Sequence, residues 1–113
     1  MKVYKSVLIA CLFLLLIKEP YAMDVSGYNS LKTGALTSLE IYIDGLSAGI
    51  EMSNIAISQM HEVNVFCPPE TITLNTGNYM DIIDKEIKSN KYEEDAPIEG
   101  VLFFGLIKTF PCK

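Results

Sequence analysis

The sequence has no tryptophan, no arginine and a single histidine, His61. Nine lysines face fourteen carboxylates, for a formal charge of −5. Such a chain cannot lay a basic stripe along a phosphate backbone or an anionic lipid surface, which argues against both as partners. His61 and the cysteines lack the spacing of metal ligands, so no zinc site is expected. No glycine-rich phosphate loop and no Gly-x-Ser-x-Gly occurs. A nucleophile pair of Cys67 and His61 would need a free thiol and an orienting group. The ordinary reading of His61 is a solvated residue at a helix end. Nothing in the residues supports an enzyme, and no cofactor is expected.

What is present begins with an export pattern. Met1-Lys2-Val3-Tyr4-Lys5 is basic, and Ser6 to Ile17 is an apolar run of 12 residues. Lys18-Glu19-Pro20-Tyr21-Ala22 follows, with the cut expected after Ala22. The run falls short of the ~20 residues that cross a bilayer as a helix; the alternative to cleavage is a retained anchor. Leu8-Ile9-Ala10-Cys11 superficially matches a lipoprotein box, but the apolar stretch continues beyond it, so Cys11 reads as part of the discarded segment. Residues 1–22 are thus expected to be a signal peptide and residues 23–113 one domain. Losing the segment removes three lysines and one glutamate, leaving six lysines against thirteen carboxylates, a charge of −7. That balance fits an acidic protein of an oxidising compartment with a basic partner. The absence of an Asn-x-Ser/Thr site favours a bacterial periplasm over a eukaryotic secretory route.

Along the mature chain, Asp24 to Lys32 reads as a polar, mobile lead-in. From Thr33 to Gln59 the pattern is helical: Leu36, Leu39, Ile43, Leu46 and Ile50 recur at spacings of three and four, and Ile57 and Met60 resume the series. The segment is one long helix or two shorter ones. Glycine inside a helix costs ~1 kcal/mol relative to alanine, so Gly45-x-x-x-Gly49 calls for a reason. Close approach of another helix on a small-residue face with Ala48 is one; a hinge used in partner binding is the other.

Pro68-Pro69 forbid helix beyond Cys67, and Thr71 to Leu74 reads as extended loop. Thr73 or Asn75 caps a second helix from Asn78 to Ser89, in which Tyr79, Ile83 and Ile87 lie one turn apart. Asp81 and Asp84 stand four residues before Lys85 and Lys88, the favourable order for helix ion pairs. A hydrophilic connector then leads through Glu93-Glu94-Asp95 to a third helix with Pro97 in its first turn. Ile98, Val101, Leu102, Phe103, Phe104, Leu106, Ile107 and Phe110 cover nearly all its sides. Such a helix is buried in its own domain or pressed against another subunit. The fold class expected is all-α, a small bundle of about three to five helices.

Cys67 and Cys112 are the cysteines left after export. They pair, or they have no partner in the molecule. A bridge would close a loop of 45 positions, worth ~4 kcal/mol in the chain-entropy model.

Taken together, these segments resemble the Rap/Tai immunity proteins, which protect bacteria against amidase effectors of type VI secretion. The resemblance rests on an export signal before a small helical domain and on the order of its C-terminal half. There Phe66-Cys67-Pro68-Pro69 and Thr73-Leu74 precede an amphipathic helix, a polar turn and an apolar helix, and Phe110-Pro111-Cys112 closes the chain. Gly45-Leu46-Ser47-Ala48-Gly49 is similar to the family's Gly-x-x-x-Gly helix. The matching region runs from Ile41 to Cys112. One departure stands out: many members carry a further cysteine pair in the first helical region, and none lies between Met23 and Phe66 here.

The resemblance implies a periplasmic, all-helical, commonly dimeric protein, closed by a Cys67–Cys112 disulfide, that blocks the cleft of a peptidoglycan-cleaving amidase. A rigid projection suits that task, because its ordering cost is met before binding. The candidate effector-facing residues are Lys88, Lys91, Glu93, Glu94 and Asp95. The plainer reading of the acidic tip is a hydrophilic turn that caps the next helix. Two other functions compete. A periplasmic acid-stress chaperone would expose apolar surface on acidification and suppress aggregation of a client at low pH. An envelope adaptor subunit would do neither.

Overall fold

Helix starts where a polar lead-in was expected. In the computed structural model, which describes residues 22–113, Asp24 is an N-cap whose carboxylate accepts from Gly27 N–H at 2.7 Å. It opens α1 (Val25–Gly34). Val25 and Tyr28 are buried and Leu31 packs against the core, so this helix is held by tertiary contact. The expected signal segment, Ala22 aside, and Cys11 lie outside the described residues.

A break at Ala35 (φ −149°, ψ 62°) separates α1 from α2 (Leu36–His61). The second element is a single helix of 26 residues, about 39 Å long at 1.5 Å per residue. Leu39 and Ile43 are buried and Leu46 and Ile50 partly so. Both ends of the expected stripe, Leu36 and Met60, face outward.

The expected close approach at Gly45-x-x-x-Gly49 is not made among the described residues. A Cβ built on either glycine meets no atom within 4 Å. The close contact falls instead on Gly105, where a Cβ would come 2.6 Å from Ile82 Cγ2. Gly105 lies in α4 (Ile98–Thr109) and Ile82 in α3 (Thr76–Asn90), the pair with the most extensive contact in the fold.

Asn75 opens α3 through a capping box: its side chain accepts from Asn78 N–H and the Asn78 side chain accepts from Asn75 N–H, both at 3.0 Å. Thr71 to Leu74 is loop, as expected, and among the described residues no strand forms beyond an isolated bridge between Asp24 and Pro97. Pro97 is the N-cap of α4. Ile98, Val101, Leu102 and Leu106 are fully buried, so one side of this helix belongs to the domain's own core. Phe104 on the other side is 54% exposed and meets Phe103 edge to face.

Cys67 and Cys112 form a disulfide with Cα atoms 5.0 Å apart. It joins the loop after α2 to the end of α4. Cys67 N–H also donates to the Phe110 carbonyl at 2.8 Å. On the α2 side, Asn54 clasps the same loop: its Oδ1 accepts from Val65 N–H at 2.7 Å and its Nδ2 donates to the Phe66 carbonyl at 2.9 Å. Phe66 is thereby held in the core. Among the described residues the architecture is all-α, with four helices and one disulfide.

Candidate partner-binding surface

A chain without arginine must satisfy its inward carboxylates otherwise, and here tyrosine does so. Every tyrosine among the described residues donates to a carboxylate: Tyr28 to Asp84 at 3.0 Å, Tyr42 to Glu99, Tyr79 to Glu51, and Tyr92 to Glu86 at 3.0 Å. Three of these bonds join different helices. Burial is the main cause that raises all four hydroxyl pKa values, and the bonded carboxylate adds to it.

The ion pairs among the described residues are Lys32–Asp84 and Lys108–Glu86. The expected pairs of Asp81 with Lys85 and Asp84 with Lys88 do not form. Asp84 is turned to α1, where Tyr28 and Lys32 take its two oxygens.

That leaves Lys88 exposed in the last turn of α3. Lys91 follows as the C-cap, exposed and left-handed (φ 48°, ψ 52°), a conformation that costs a non-glycine residue on the order of 1 kcal/mol. Glu93 to Ala96 close a turn through Ala96 N–H to the Glu93 carbonyl at 3.1 Å. Glu93, Glu94 and Asp95 all face outward. The five candidate residues thus sit together at one end of the α3–α4 hairpin.

The disulfide is at the other end. About 18 Å of α4 separates it from the connector at 1.5 Å per residue, so the bridge does not itself brace the acidic turn. The bracing comes from the first turn of α1. Val25 N–H donates to the Ala96 carbonyl at 3.0 Å and Ser26 N–H to the Glu94 carbonyl at 2.9 Å. From inside, Tyr92 anchors the connector to the buried Glu86, which also takes Lys108. The turn is pinned from both sides while its three carboxylates remain in solvent.

Sequence reasoning missed the strap at Met23 to Ser26, Asn54 and the Glu86–Tyr92 anchor. Two of these carried a signal. Asn54 lies four residues after Ile50 and three before Ile57, and Glu86 continues the series Tyr79, Ile82, Ile83. A polar side chain on an apolar stripe must find a partner. Nothing local marks the strap.

Among the described residues no three His, Cys, Asp or Glu side chains are grouped to hold a metal ion. Nor is any described helix long and apolar enough to cross a membrane. Comparison with models of known families, with characterised proteins and with solved structures gives no match.

Proposed function

We propose that the protein is a periplasmic immunity protein that binds a cognate peptidoglycan amidase effector of type VI secretion and occludes its active-site cleft. It acts by obstruction and performs no reaction of its own. The reading draws on the resemblance of the segments from Ile41 to Cys112 and on the acidic character of the chain. One observation carries it: an exposed acidic turn, Glu93-Glu94-Asp95, whose backbone is fixed by Val25 and Ser26 on one side and by Tyr92 on the other. A projection already ordered loses little freedom on entering a cleft, and its charge steers it towards a basic rim. Lys88 and Lys91 flank the turn and add polar contacts.

The test expresses the amidase encoded beside this protein in the periplasm, with and without the full chain, and follows lysis. Rescue is expected, and its loss when Glu93, Glu94 and Asp95 are all changed to lysine. The three side chains are solvated, so circular dichroism of the variant should match the parent. Rescue by the folded variant at unchanged affinity removes this surface from the account. Failure of the parent to rescue removes the immunity reading itself.

A further inference from the structure

Met23, the first residue past the expected cut, is seated with unusual care. Its carbonyl accepts from Ile98 N–H at 2.9 Å. Its nitrogen donates to the Tyr42 hydroxyl oxygen at 3.3 Å, and Tyr42 donates in turn to Glu99 Oε1. The other carboxylate oxygen, Glu99 Oε2, is buried and has no hydrogen-bond partner among the described residues. A buried acceptor without a donor costs stability, so this position calls for one more donor.

Within a longer chain Met23 has a single N–H, and Tyr42 takes it. At the start of a chain it has three and a positive charge. We propose that hydrolysis of the Ala22–Met23 bond supplies the missing donor: the Met23 α-ammonium seats on Tyr42 and Glu99 and pairs with the Glu99 carboxylate. Water is consumed, Ala22 leaves as a carboxylate with the signal segment, and the charge appears two hydrogen bonds from a carboxylate whose Oε2 lacks a donor. The inference rests on the reading that the chain is exported and cut after Ala22.

The surroundings favour the cation. Tyr42 approaches from α2 and Glu99 from α4, and Asp24 and Asp95 line the cleft beside Ala22 and Pro97. The seat also bears on the acidic turn. Residues 24 to 26 continue directly from Met23 into the backbone bonds that hold Glu94 and Ala96, so processing locks the strap that braces the connector.

The experiment exports the full chain and determines the first residue of the purified protein by mass spectrometry. The α-amine then titrates above its ordinary ~8, so the stability it contributes is complete below pH 8 and is lost as pH rises through the folded value. Three variants are compared by urea denaturation between pH 7 and 9.5: Glu99→Gln, Gly-Ser inserted between Ala22 and Met23, and both together. The insertion keeps every residue of the domain and moves the ammonium off its seat. Each single change should lower the folding constant about tenfold at pH 7, the equivalent of one pKa unit, and flatten the pH dependence. The double variant should lose little more than either. NMR of the protein ¹³C-methylated at its amines reads the Met23 pKa directly, independent of whether Glu99→Gln folds well. A protein beginning at Met23 whose stability is insensitive to the insertion, or equally sensitive with Gln at position 99, overturns the inference alone and leaves the cleft-blocking proposal standing. A protein beginning elsewhere overturns the processing site as well.

Discussion

Replacing glycine by alanine at three helical positions should move stability in opposite directions, and the structure fixes which way each goes. At Gly45 and Gly49 the added methyl enters open space, so only helix propensity changes, and each substitution should stabilise by about 0.8–1 kcal/mol. At Gly105 the methyl would lie 2.6 Å from Ile82 Cγ2, with the Ile82 carbonyl oxygen and Glu86 Cβ both at 3.6 Å. The Ile82 methyl is short and branched, so relief must come from moving α3 and α4 apart. Overpacking of this kind costs about 1–3 kcal/mol, against which propensity returns about 1 kcal/mol. The net expectation is a loss of about 1 kcal/mol, a fall of about 4–8 °C in Tm for a domain of this size. Urea and thermal unfolding followed by helical circular dichroism measure all three. Equal stabilisation at Gly105 and Gly45 would refute the reasoning, because it would mean that the α3–α4 contact has slack where none is seen. Destabilisation at Gly45 that grows with protein concentration would instead show the open face covered by a second copy.

Other outcomes follow from features already described. The four tyrosine hydroxyls have folded pKa values above the unfolded value of about 10, so they bind protons that the unfolded chain has released. Stability from these bonds is complete below pH 10 and falls as pH rises beyond it; tyrosinate absorbance should appear together with loss of helix. Changing Cys112 to Ser should cost about 4 kcal/mol in the chain-entropy picture, seen as a lower urea midpoint, and alkylation of the native protein without reductant should label no thiol at Cys67 or Cys112. Asn54→Ala removes the acceptor of Val65 N–H and the donor to the Phe66 carbonyl, and should lose about 1–3 kcal/mol, with hydrogen exchange accelerated at Val65 and Phe66 before elsewhere.

Much of the helical layout was legible because it repeats. Leu39, Ile43 and their neighbours mark the middle of α2, Tyr79, Ile83 and Ile87 mark α3, and the apolar run marks α4. The first helix was not legible. Val25, Tyr28 and Leu31 are too few to make a pattern among Gly27, Asn29 and Ser30, and what holds Tyr28 is Asp84, 56 residues away. The tyrosine–carboxylate pairs share that property: Tyr42 and Glu99 are 57 positions apart, and a chain read locally does not bring them together. Asp84 misled for the same reason, since its spacing from Lys88 is favourable yet α1 supplies better partners. The acidic turn was visible as a hydrophilic run with Pro97 behind it. That its rigidity comes from the first turn of α1, and not from the disulfide at the far end of α4, is a matter of topology alone.

Fastening carboxylates with neutral hydroxyl donors has a consequence for the medium. Dissolved ions weaken attraction between opposite charges over a Debye length of about 8–10 Å, but a bond from an uncharged phenol presents no charge pair to screen. Two ion pairs aside, the polar joints between these helices should therefore feel little of a change from dilute to saline surroundings. The outward carboxylates of the connector have no such insulation. The proposed association through that turn should weaken as salt is added while the domain beneath it unfolds at nearly the same urea concentration, which would separate the fabric of the fold from the proposed means of attraction.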